Sequence, residues 1–243
     1  MEQRVLIDYF VCSWKIFSFA EAISIFRLLK LPTYDDPTGD FFGTEGFTEI
    51  NSYYGLDICY YYDGIKIHLG EDLLILDCSG KGCRTLEGEF DWNWETFFRA
   101  MQHDLTFTDE LHPTPKAHIS RLDVSCDVLG SDKFTVSKIW DFIRRGKYVC
   151  KSKRKVHGEG DEEWIFFGST QSDRRLRIYN KALEQGIPDE PWVRAELQLR
   201  NDNAISFVLN YFKLQSIPET YYGVMHDYLR ILKNARTGLT MTG

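Results

Sequence analysis

Three stretches of this chain alternate apolar and polar side chains with a period of two, a pattern that suits a β-sheet with one dry face. In AHISRLDVSCDV (117–128), Leu122, Val124, Cys126 and Val128 share one side, and Arg121, Asp123, Ser125 and Asp127 share the other. In RRLRIYNK (174–181), Leu176 and Ile178 oppose Arg175, Arg177, Tyr179 and Lys181. In WVRAELQLR (192–200), Val193, Ala195, Leu197 and Leu199 alternate with Trp192, Arg194, Glu196, Gln198 and Arg200. Such strands make an antiparallel sheet with helices on its dry face and something charged bound to the other. The segment FTVSKIWDFIRRG (134–146) reads as a crossover helix closed by Gly146, followed by the basic loop KSKRKVHGEGDEE. A further helical region, NAISFVLNYFKL, follows the third strand. The fold class is therefore α+β: a central antiparallel sheet with helices on one face and the active site on the open face.

The N-terminal half reads more coarsely. Ser18 and Glu21 form a capping box that opens the helix FAEAISIFRLLKL. The run CYYYDGIKIHLG (59–70) is a strand, an Asp-Gly turn and a second strand. SGKGCRTLE (79–87) is a tight glycine-containing turn into another short element, and a helix is expected over 93–104. No internal repeat appears. The 243 residues, 43% hydrophobic, suffice for one large domain or two fused small ones. We read a single catalytic domain over 1–243 with its core at about 5–215. NARTGLTMTG closes without a capping element, so a further C-terminal segment is expected.

With a net charge of −7 the chain is not a polycation, and a nucleic-acid partner needs a local basic patch. The window Lys133–Lys155 offers one: nine Lys or Arg, Lys153 and Arg154 among them, against Asp141 alone. The same run also reads as a solvated face. No stretch of about 18 apolar residues suggests a membrane span, and MEQRVLIDYF does not read as a signal peptide. The six cysteines form no C-x-x-C pair, which gives little support to zinc and fits reduced core thiols in a cytoplasmic protein.

Together the three polar faces hold one tyrosine, three carboxylates, a glutamine, arginines and a lysine. Oxygen ligands of the Asp, Glu and Gln type suit Mg²⁺ or Mn²⁺, which can polarise a phosphodiester. Arginines fork onto phosphate oxygens. A tyrosine among them can attack phosphorus, with Lys181 lowering its pKa. Plainer readings stand beside this one: a stacking tyrosine, solvated aspartates and cross-strand ion pairs. His118, by parity with Leu122 and Val124, reads as a structural histidine. Trp164 and Trp192 are core residues or stacking surfaces for unpaired bases.

The segments SGKGCRTLE, HISRLDVSCDV, FGSTQSDRRLRIYNKALEQ and WVRAELQLR, in that order, resemble the replication initiation factor family. That family comprises rolling-circle initiators of small Gram-positive plasmids and related conjugative relaxases. The resemblance implies a site-specific DNA nickase and strand transferase of the HUH type, with an HUH/RRM-like palm. It places the nucleophile at Tyr179 and metal-binding carboxylates at Asp123 and Glu196. Gln198 joins them on polar-apolar-polar spacing. The two-histidine form of the HUH motif is absent, so Mg²⁺ or Mn²⁺ would be held by oxygen. Arg121, Arg175, Arg177, Arg194, Lys153 and Arg154 are the expected DNA contacts. The expected partners are an origin with an exposed single strand, a replication helicase and a second copy of the chain. Two alternatives remain: a relaxase of a conjugative or mobilisable element with the same chemistry, and a non-catalytic DNA-binding protein.

Overall fold

A computed structural model of the chain describes residues 1–31, 33–35, 42–44, 46–108, 110, 114–157 and 164–232. The chain divides into two compact units, Ile7–Leu122 and Met1–Leu6 with Asp123–Gly243. It mixes helices and strands, with a large antiparallel sheet.

In chain order the first elements are β1 (Glu2–Lys15), α1 (Phe19–Leu28), β2 (Thr33–Asp35), β3 (Phe42–Thr44) and β4 (Thr48–Ile50). Then come β5 (Ile58–Tyr62), β6 (Ile65–Leu69), β7 (Leu73–Cys78), α2 (Gly80–Glu89), α3 (Trp94–Ala100) and α4 (Gln102–Thr106). Strand β8 (Ala117–Leu129) follows. The strand order in the N-terminal unit is β1-β7-β6-β5-β4. Ser18 caps α1 by accepting from the Glu21 amide, while the Glu21 carboxylate accepts from the Phe17 amide, 2.6 Å away. The capping box is thus present, with its return bond one residue earlier than expected. The single helix expected over 93–104 is two, with Met101 between them.

The Asp-Gly turn joins β5 to β6, with Asp63 at φ 42° and Gly64 at φ 91°, the left-handed pair that a two-residue hairpin needs. SGKG proves to be the start of helix α2, capped by Ser79. Its Gly82 lies directly under that turn, where a Cβ would collide with the Gly64 carbonyl. Asp63 reaches back to Lys81 and to the Thr85 hydroxyl. The glycine motif is therefore a packing joint between hairpin and helix.

The chain continues through α5 (Val136–Arg144), β9 (Tyr148–Cys150), β10 (Arg154–His157), β11 (Trp164–Phe167), β12 (Arg174–Asn180) and α6 (Lys181–Glu184). It ends in β13 (Trp192–Arg200), α7 (Asp202–Leu214), α8 (Ile217–Tyr228) and β14 (Leu229–Ile231). The order here is β10-β11-β12-β13-β8, with β14 paired to β9. Helix α7 packs on β13, and α5 packs on β11 and β12. The basic loop expected over 151–163 instead contains one short strand, β10, with β9 just before it, and its residues 158–163 lie outside the described residues.

Two local readings need correction. RRLRIYNK is not strand to its end: Asn180 Oδ1 accepts the Leu183 amide, and Lys181 opens a helical turn. His118 is exposed, whereas Ala117 and Ile119 are buried. The apolar residues of β8 change parity between Ile119 and Leu122, and the dry side changes with them.

Candidate active site

Register brings the polar positions of β12 and β13 face to face: Arg175 opposite Gln198, Arg177 opposite Glu196, and Tyr179 opposite Arg194. Phe166 of β11 stands opposite Arg177. These side chains form a ladder across four strands, ordered from aromatic (β11) through cationic (β12) to mixed charge (β13) and acid (β8). The polar side differs from the sequence expectation in one respect: Tyr179, Asp123, Asp127, Arg194, Glu196 and Gln198 are all buried. Asp127 and Arg194 neutralise each other and Glu196 is neutralised by Arg177, which offsets the cost of burying those charges.

Tyr179 is enclosed. Its hydroxyl lies 3.4 Å from Glu196 Oε2 and accepts from Arg177 Nη2 at 3.3 Å. Arg177 Nη2 also donates to Glu196 Oε2 at 2.6 Å. The Trp164 indole lies flat on the phenol ring, with centroids 4.7 Å apart and planes 8° apart. The Arg177 guanidinium is 4.4 Å from the phenol centroid and 5.1 Å from that of Trp164. Burial and the Glu196 carboxylate push the phenol pKa well above its ordinary value, against the pull of Arg177 and Arg194. Arg177 is held firmly cationic: burial opposes its charge, but Glu196 and Tyr179 outweigh burial.

Lys181 does not share a strand face with Tyr179. It stands at the start of α6, paired with Glu184, and its Nζ is 5.9 Å from the phenol centroid. Arg194 is forked onto Asp127, Nε to Oδ1 at 2.6 Å and Nη2 to Oδ2 at 2.8 Å. Arg4 approaches the same carboxylate at 3.5 Å. Although burial raises it, the Asp127 pKa is lowered by Arg194. Arg194 is thus engaged inside the protein rather than presented to a ligand. Arg175 lies over Phe166 at 4.6 Å, and Arg121, in the N-terminal unit, lies over Tyr9 at 3.9 Å.

Asp123 and Gln198 meet through a 3.5 Å approach of Gln198 Nε2 to Asp123 Oδ2. Glu196 is two residues from Gln198 on the same side of β13. Among the described residues no three His, Cys, Asp or Glu side chains cluster to hold a metal. Of the three expected oxygen donors, Asp123 and Gln198 are in contact, and Glu196 shares their side of the sheet with its Oε2 bound by Arg177. They fit a hard divalent ion once the Gln198 amide is turned to present Oε1.

The basic window is partly spent. Arg144 and Arg145 both bind Asp141, and Lys151 lies 2.5 Å from Asp227. Lys153 and Arg154 are exposed, with Arg154 lying 5.0 Å from the Trp140 centroid. Phe166 and Arg4 were not among the residues expected at the site. Phe166 was legible in the alternation of WIFF, whereas nothing local marks Arg4 as the partner of a residue more than a hundred positions away.

The fold defines a class. A solved structure described as a rolling circle replication initiator protein from Geobacillus stearothermophilus superposes with a TM-score of 0.72 at 19% identity. The match covers 97% of this chain and 89% of that one. The family model for replication initiation factor matches residues 117–240, just over half of the sequence. The chain belongs to that family. No curated protein sequence matches it significantly. No helix among the described residues is long and apolar enough to cross a membrane.

Proposed function

We propose that this protein starts rolling-circle DNA replication by nicking one strand at an origin and later rejoining it, with Tyr179 as the nucleophile. The observation that carries the reading is the Tyr179 hydroxyl held between Arg177 and Glu196, with Asp123 and Gln198 on the adjoining strands.

In the proposed reaction Tyr179 Oη attacks the scissile phosphorus and its proton passes to Glu196. The bond from phosphorus to the 3′-oxygen breaks, and that oxygen takes a proton from solvent water and leaves as a free 3′-hydroxyl for a polymerase to extend. The 5′-phosphate stays on Tyr179, and attack by a 3′-hydroxyl reverses the step. No nucleotide cofactor is required, because the phosphotyrosine bond conserves the energy of the bond broken. Arg177 serves twice: it polarises the phenol, and its guanidinium suits the charge that develops on the phosphate. Asp123, Glu196 and Gln198 would hold Mg²⁺ or Mn²⁺, which when bound supplies Lewis-acid polarisation of the phosphodiester. Arg175, Lys153 and Arg154 are assigned to the DNA backbone, and Arg194 to holding Asp127 and the end of β13 in place.

The test is capture of the intermediate. The protein is incubated with Mg²⁺ or Mn²⁺ and a library of single-stranded origin oligonucleotides, and the covalently retained ends are sequenced. A denaturant-resistant adduct on the peptide containing Tyr179 supports the reading. Its absence with every metal and substrate overturns it.

A further inference from the structure

The N-terminal unit carries a second polar cluster, on one side of β1, β7, β6 and β5. Val11 and Lys66 both stand opposite Asp77, His68 stands opposite Ile75 and Cys59, and Tyr61 stands opposite Lys66. Asp77 is buried and accepts hydrogen bonds from the hydroxyls of Tyr53 and Tyr54, the latter at 3.3 Å. Beneath them His68 is fully buried, its Nδ1 2.9 Å from Ser52 Oγ. The Tyr53 and Tyr54 rings meet the imidazole edge to face, with centroids 4.6 and 4.7 Å away.

The orientation of these tyrosines is the informative point. A surface tyrosine ordinarily buries its ring and gives its hydroxyl to water. Here the hydroxyls turn inward to a buried carboxylate and the rings lie 4.6 Å apart, yet the residues stay open to solvent, Tyr53 57% exposed and Tyr54 43% exposed. Tyr61, on the same side, is 38% exposed. Lys66 Nζ is 5.1 Å from the Tyr53 centroid, and Arg121, 3.9 Å over the neighbouring Tyr9 ring, is near enough to Tyr54 to act on its phenol electrostatically. Rings anchored at the hydroxyl end lose little freedom when something stacks on them.

We infer that this side of the N-terminal unit is a stacking platform for unpaired bases of single-stranded DNA, built on Tyr53 and Tyr54 with Lys66 and Arg121 beside them for the phosphates. Single-stranded DNA is favoured over duplex because a paired base has both faces covered by its neighbours, whereas an unpaired base offers a π-face to any exposed ring. The inference rests on the reading of a DNA-nicking protein, and it assigns the strand a contact not included in the site at Tyr179.

The test uses the full chain and two probes, a fluorescent single-stranded oligothymidylate and a duplex of equal length. Each stacked base is worth about 1–3 kcal/mol, so Tyr53→Ala with Tyr54→Ala should weaken single-strand affinity at least tenfold and duplex affinity less than twofold. That variant takes two hydrogen bonds from a buried carboxylate and can fail to fold. A second measurement therefore uses the wild-type chain: photo-cross-linking to an oligonucleotide containing 5-iodouracil, mapped by mass spectrometry, should mark the peptide bearing Tyr53 and Tyr54. Unchanged single-strand affinity in a folded variant, an equal loss on duplex, or cross-links found only elsewhere would overturn the platform. The two readings fail separately. A wild-type chain that cross-links at Tyr53 or Tyr54 but never forms a phosphotyrosine adduct refutes nicking alone, while adduct formation without the cross-link refutes the platform alone.

Discussion

Trp164 lies flat on Tyr179, 4.7 Å between centroids and 8° between planes, so the proposed nucleophile is covered by an indole that belongs to the neighbouring strand. The stack fixes the plane of the phenol and aims its hydroxyl at Arg177 and Glu196. Trp164→Ala should remove about 0.5–1.5 kcal/mol of stacking. We expect nicking at saturating DNA to slow about twofold to tenfold, with Trp164→Phe recovering most of the rate. Single-turnover kinetics would show this, and a wild-type rate in the alanine variant would remove Trp164 from the positioning role.

Tyr179→Phe should abolish nicking and adduct formation while leaving DNA affinity nearly intact. The lost hydroxyl contacts are long, 3.3 and 3.4 Å, so the unfolding free energy should change by less than about 1 kcal/mol. If an adduct persists, the nucleophile lies elsewhere, with Tyr148 the next residue to test. Tyr221 is a poor substitute because its hydroxyl is committed to the Ala195 backbone carbonyl, to which it donates at 2.8 Å.

Asp123→Ala and Glu196→Ala should each slow cleavage, with partial recovery at high Mn²⁺, because losing one oxygen ligand lowers metal occupancy without dismantling the site. Glu196→Ala should cost more, since it also strips Arg177 of its 2.6 Å partner. Wild-type cleavage that is unaffected by EDTA would refute the metal assignment.

Asp127→Asn leaves Arg194 buried without its counter-charge and should cost about 3–5 kcal/mol, read by chemical denaturation. The effect of pH has a definite sign. The folded-state pKa of Asp127 is below the ordinary 3.8, so its contribution is full above that value and is lost as pH falls through the depressed pKa. The variant should therefore lose less stability than wild type on acidification below about pH 4. Equal acid sensitivity would mean that the pair does not govern this window.

Neutralising Lys153 and Arg154 together should weaken binding to every DNA sequence alike. The slope of log K against log salt should flatten by two contacts' worth, on the order of 1.4–1.8. Origin preference should survive, because phosphate contacts position the strand without reading it. An unchanged slope would return the pair to a solvated surface.

Much of this was legible in the chain itself. Period-two alternation marked β8, β12 and β13 and placed Arg175, Arg177 and Tyr179 on one side, where they stand opposite the polar positions of β13. The motif around Tyr179 resembled a family, and the family match agrees. The misreadings were local competitions. Asn180 could continue a strand or cap a helix, and its side chain took the Leu183 amide. Gly82 looked like part of a loop because a close approach from Gly64 leaves no mark in its own neighbourhood.

By itself, the sequence determined that 117–128, 174–180 and 192–200 are strands with alternating apolar and polar positions, and that a tyrosine stands among cations. Only the tertiary structure decided how those charges pair: Arg177 with Glu196, Arg194 with Asp127, and three tyrosine hydroxyls around Asp77. It also decided that the polar side would be closed by its own side chains and by Trp164. The reason is register. Alternation fixes a side chain's face, but its partner depends on how far one strand slides along another, which is set by the packing of residues far away in sequence.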